Sequence, residues 1–135
     1  MGMVMSLQTI GSFLLYFGAA LAVMAVFVAV YMAVTSHNEA VLIRQGNTAA
    51  AISFAGALLG FTLPLASAIV HSVSLVDMLV WSAIALVVQI GVFLSVDRAL
   101  RQISKHIEEG NVAAGATLAV ASVAIGIVNA ACLTY

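Results

Sequence analysis

Charge is what this sequence has least of. Only 7% of its 135 residues are Asp, Glu, Lys or Arg, against 64% hydrophobic, and its mean hydropathy is +1.23. A soluble domain carries roughly a quarter of its residues as charges, so an ordinary water-soluble globule is excluded. Four Lys and Arg against five Asp and Glu, net −1, leave no basic face to neutralise phosphates, which excludes nucleic-acid binding. A single cysteine, Cys132, allows neither an intramolecular disulfide nor a thiolate metal site. His37, His71 and His106 do not share metal-ligand spacing, and no Ser/His/Asp set or phosphate-binding glycine loop is present. The expectation is a protein that is not an enzyme and holds no cofactor or metal.

What is present is long apolar sequence. Four apolar stretches, about 9–34, 48–70, 75–96 and 112–134, whose one charged residue is Asp77 near the start of the third, are each about 22 to 26 residues long, enough to cross a bilayer as helices. Membrane strands would need polar side chains alternating toward a lumen, and no such alternation appears. The first stretch is read as a retained helix and not a secretory signal, because no Lys or Arg precedes it and its apolar run is too long. An all-α integral membrane protein with four transmembrane helices follows. Arg44 lies between the first and second spans, and Arg98, Arg101 and Lys105 between the third and fourth. All four basic residues therefore fall on one side, which the positive-inside rule makes cytoplasmic, with both termini external.

The two halves resemble each other. Ile43-Arg-Gln-Gly46-Asn47-Thr-Ala49-Ala50 and Ile107-Glu-Glu-Gly110-Asn111-Val-Ala113-Ala114 align at a constant offset of 64 residues. This predicts two same-orientation two-helix repeats, 1–70 and 71–135. Asn47 and Asn111 are read as helix caps, each following a glycine that supplies the turn. Gly56-x-x-x-Gly60, Gly115-x-x-x-Ala119 and Ser122-x-x-x-Gly126-x-x-x-Ala130 are ridges on which backbones can approach, so the second and fourth spans should form the packing core, crossing near a pseudo-two-fold axis. Small-residue faces left over make a homo-oligomer the expected state.

Outside the spans, Asp97–Glu109 has Ala99, Leu100, Ile103 and Ile107 on one side and charges on the other, predicting an amphipathic extension of the third span or an interfacial helix. Ser36-x-x-Glu39 has capping-box spacing at the start of a shorter segment. Glu39, Arg44, Arg98, Arg101 and Lys105 are the candidates for binding a cytoplasmic protein partner. Inside the spans, Pro64 should kink the second helix. Gln89 and Asn129 need hydrogen-bond partners in hydrocarbon, with Ser53 and Thr62 as candidates for Gln89. Asp77 is either an intramembrane ionisable group or a helix-start acid, and His71 and Asp77 could form an external pH-sensitive pair. Trp81 and Tyr135 suit the outer interface and Tyr31 the inner one.

The stretch His37-Asn38-Glu39-Ala40-Val41-Leu42-Ile43-Arg44-Gln45-Gly46-Asn47-Thr48-Ala49-Ala50-Ala51, with its degenerate second copy ending Glu108-Glu109-Gly110-Asn111, resembles the YjfL-like bacterial inner-membrane proteins. These are understood as two tandem copies of domain-of-unknown-function family 350. The second copy departs from the pattern where Ile103 stands for Glu39 and Lys105-His106 for Val41-Leu42. The resemblance implies a multi-pass inner-membrane protein of no established activity, with a link to envelope stress. Two function classes remain: a structural or interaction subunit, and a small oligomeric channel or transporter lined by Gln89, Ser53 and Thr62. Against the second, the first span holds no acid.

Overall fold

A computed structural model describes residues 2–35, 38–100 and 102–133. Four long helices are joined at one end by two short ones: α1 (Gly2–Val34), α2 (Glu39–Arg44), α3 (Thr48–His71), α4 (Leu75–Ala99), α5 (Ile103–Glu108) and α6 (Val112–Cys132). The four long helices are each long and apolar enough to cross a membrane, making this an all-α integral membrane protein. α1 starts seven residues earlier than composition suggests. Its early polar residues do not break it, because the Ser6 and Thr9 hydroxyls donate back to the Gly2 and Met5 carbonyls within the helix.

The core is the seam between α3 and α6. In a membrane, lipid is as apolar as leucine, so helices associate through close van der Waals contact, and this seam achieves that with residues lacking bulk. Gly115 lies on the backbone of Ala49, Gly56 on Ala119, and Gly60 on the Ser122 carbonyl. Contact pairs rise together along both chains, so α3 and α6 run parallel. Pro64 continues inside α3 and is buried. Having no N–H, it leaves the Gly60 carbonyl without its helical donor. That carbonyl oxygen abuts Gly126, where any side chain would collide with it. The carbonyl that the proline frees is thus the one that Gly126, lacking a side chain, lets α6 approach.

α4 packs on both members of this pair, while α1 packs on α3 and α4. The pseudo-two-fold arrangement expected from sequence is thus broken: its axis would demand that α1 lie on α6 as α4 lies on α3. An aromatic layer fills the α1 side, with Phe27 stacked on Phe61 at 4.5 Å between ring centres and Tyr31 edge-on to Phe93 at 5.5 Å. Beyond Ala20, toward its start, α1 leaves the bundle, and residues 2–15 are exposed to whatever surrounds the protein.

Candidate functional site

The turns that carry the sequence repeat are built alike. Gly46 and Gly110 have φ of 83° and 82°, the left-handed region that favours glycine. Gly46 N–H donates to the Ile43 carbonyl and Asn47 N–H to Leu42, and in the second turn Gly110 donates to Ile107 and Asn111 to His106. This is a Schellman ending to each short helix. The same asparagines then open the long helices, since Asn47 Oδ1 accepts from Ala50 N–H at 3.0 Å and Asn111 Oδ1 from Ala114 N–H at 3.1 Å. Asn47 does more: its Nδ2 donates to the carbonyls of Ile107 at 2.9 Å and Glu108 at 3.3 Å, tying the end of α5 to the start of α3.

These bonds draw α2 and α5 into one charged end. Arg44, Arg98, Lys105, Glu108 and Glu109 are exposed there. Arg101 lies outside the described residues, as do His37 and Tyr135. Asp97, Gln102, Lys105 and Glu108 line a polar pocket of about 350 Å³ at the break between α4 and α5. Of the two arrangements expected over Asp97–Glu109, an extension of the third span or a helix of its own, the continuous extension does not form and the separate helix is short, Ile103–Glu108. Gln102 takes a left-handed φ of 62°, its N–H donates to the Asp97 carbonyl at 2.7 Å, and Asp97 Oδ1 accepts from Ser104 N–H at 3.2 Å, so the chain turns and restarts as α5. Ile103 and Ile107 are buried as the pattern requires, whereas Ala99 and Leu100 are exposed.

Glu39 corrects the reading of the first loop. It was expected on the surface, facing a partner, but is only 1% exposed. The cap of α2 is Asn38, whose side chain accepts from Val41 N–H, and this start turns Glu39 inward instead of outward. Ser36 lies outside the described residues. The Tyr31 hydroxyl lies beside Glu39 and beside the Ser53 hydroxyl. Tyr31 is 2% exposed, so it belongs to the core and not to an interfacial belt.

Deeper in the bundle, Gln89 and Asn129 find each other. Asn129 Nδ2 donates to Gln89 Oε1 at 3.3 Å and to the Ala85 carbonyl at 3.4 Å, while Gln89 Nε2 donates to the Ser122 carbonyl at 3.0 Å. Neither Ser53 nor Thr62 partners Gln89, because both hydroxyls return to their own helix, at Ala50 and Leu58. At the opposite end of the molecule Asp77 sits in the first turn of α4, half-buried. It accepts from Val73 N–H and from Trp81 Nε1, while Ser74 caps the Asp77 N–H. His71 meets Ser67 of its own helix, so the His71–Asp77 pair is not formed. Among the described residues no group of three His, Cys, Asp or Glu converges.

A family model, Domain of Unknown Function (DUF350), matches residues 5–133, a stretch that runs through all four long helices. The chain belongs to the DUF350 family. Among relatives with names, this DUF350 chain is 41% identical over 129 residues to inner membrane protein YjfL of Escherichia coli strain K12, covering 96% of the chain and 98% of that protein. The same figures hold for the protein of that name in Escherichia coli O157:H7. No solved structure matches.

Proposed function

We propose that this DUF350 protein is a non-enzymatic inner-membrane interaction subunit, in which the four spans hold a charged cytoplasmic end in fixed shape for a protein partner. One observation carries the reading, the separation of its polar groups. Gln89 and Asn129, deep in the bundle, bond to helix backbone and to each other, whereas Arg44, Arg98, Lys105, Glu108 and Glu109 stand exposed at one end, where Glu39 alone of the described acids and bases is buried. Inner-membrane placement draws on the name of the two Escherichia coli relatives. Cytoplasmic placement of the charged end draws on the positive-inside rule, and leaves both termini external.

The two-helix units, 1–70 and 71–135, are read as a tandem duplication. Support comes from the Gly-Asn turn built twice with one hydrogen-bond pattern and from the parallel course of α3 and α6. The channel alternative has less to draw on, since Ser53 and Thr62 each donate to a carbonyl of their own helix, and Gln89 is committed to the Ser122 carbonyl and to Asn129. A photo-reactive residue at position 44 or 105, in cell membranes, tests the reading against one at position 73 at the other end. The expected result is a defined protein adduct from the charged-end positions, with the position-44 adduct lost on Arg98→Glu with Lys105→Glu. Adducts from position 73 alone would overturn it.

A further inference from the structure

α1 runs past the end of the bundle. Ala19, Val23 and Val26 line one groove with Leu79, Ala83 and Leu86, so α1 and α4 run parallel, and Leu75, where α4 begins, stands level with about Leu15. α3 runs the other way, with Phe61 stacked on Phe27 and Phe54 against Tyr31, and ends at about the same level. α6 ends sooner still, its Asn129 bonding to the Ala85 carbonyl well inside α4. Residues 2–14 therefore stand past the ends of the other long helices, a rod of about 20 Å at about 1.5 Å per residue, and all of them are exposed. Counted back from Arg98 at the charged end, α4 has covered the roughly 30 Å of a bilayer's hydrocarbon by about Met78, which leaves the rod outside it.

The rod is patterned for a helical partner. Met3, Leu7, Ile10, Leu14, Phe17 and Leu21 follow one another at alternating spacings of four and three, a heptad seam with leucine at every a position, and each is at least half exposed. The far side carries Gln8, Thr9, Ser12 and Tyr16 at b, c and f, with Met5 and Leu15 as its apolar members. A helix surrounded by lipid needs no polar back, whereas a coiled coil standing in water does. Because α1 is one unbroken helix to Val34, the rod does not fold over to lie flat on the bilayer. The seam continues through Met24, Val28 and Tyr31, where it already has a partner. On a straight helix a seven-residue repeat drifts by about 20° per heptad, which carries these three onto the chain's own core and leaves the upper seam open.

We propose that the α1 rods of separate copies join in a parallel coiled coil beyond the membrane, at the end opposite the charged one, with Leu7, Leu14 and Leu21 at a and Met3, Ile10 and Phe17 at d. The partner is a second copy because all copies share one orientation in the bilayer, which sets identical seams side by side and in register. Residues 1–34 contain no Asp, Glu, Lys or Arg, so no like charges at e and g oppose the pairing of identical strands. Leucine at a with isoleucine at the central d favours three or four strands over two. Ala20 and Phe27, which face the bundle, lie roughly a third of a turn from this seam at about 100° per residue, so α3, α4 and α6 of each copy flank the coil without blocking it.

Single cysteines in a Cys132→Ser background, oxidised in membranes of cells that make the whole chain, test this. Leu7→Cys, Ile10→Cys and Leu14→Cys should each give a band at twice the chain's mass, while Gln8→Cys and Ser12→Cys stay unlinked. The native mass of the purified parent should be three or four copies, falling to one for Leu7→Gln with Leu14→Gln. Ser67→Cys with Ala130→Cys, placed where the Ser67 hydroxyl donates to the Ala130 carbonyl, should still close within the chain of that variant and so report an intact bundle. Linking that ignores heptad position, a parent mass of one or two copies, or a mass unchanged by Leu7→Gln with Leu14→Gln would overturn the proposal. So would no linking at any of the five positions, and quenching of Ile10→Trp fluorescence by brominated lipid chains would then assign the seam to lipid.

Discussion

A carboxylate at the end of a membrane bundle can face water at little cost, yet Glu39 is buried, and the cause is one residue away. Asn38 takes the cap of α2 and so fixes which way the first helical turn points. Soluble carbodiimide should therefore label Glu108 and Glu109 readily in inverted vesicles and leave Glu39 unmodified, as read by peptide mass. The two repeat asparagines differ in the same quantitative way. Asn111→Ala removes a cap worth about 1 kcal/mol, whereas Asn47→Ala removes a cap and the bonds to α5, about 2 kcal/mol together. Denaturant unfolding of the monomer in detergent should show that ratio. The caps were legible in sequence because capping is decided within four residues. The burial of Glu39 and of Tyr31 was not, since a cap fixes which way a turn points but not what packs there, and the elements that do are distant in the chain.

Among the elements, α3 and α6 carry the fold through glycines that are not interchangeable. Gly126→Val places a side chain against the Gly60 carbonyl and should cost about 1–3 kcal/mol or more by overpacking. Gly91 on α4 has open space around it, so Gly91→Ala should be neutral or gain up to about 1 kcal/mol from helix propensity. The same unfolding assay separates them, and equal losses would contradict the seam. The small-residue spacing made this pair of helices recognisable from sequence, as did the length of the apolar runs. The break between α4 and α5 was hidden because it rests on a left-handed Gln102, a residue with no turn preference strong enough to announce it.

At the scale of the molecule, four spans and one charged end follow from composition alone, because lipid leaves a chain this apolar few alternatives. How the helices neighbour one another does not follow, and the placement of α1 on α3 and α4 shows why: Phe27, Tyr31, Phe61 and Phe93 fit together only in that arrangement, which no periodicity encodes. The account makes the interior polar side chains structural and gives the work to the charged face. The most direct test is ion and proton flux into liposomes containing the purified protein, compared with Gln89→Leu and with empty liposomes across pH and membrane potential. The account predicts no flux above the empty liposomes for either protein; a parent flux that Gln89→Leu abolishes would contradict it.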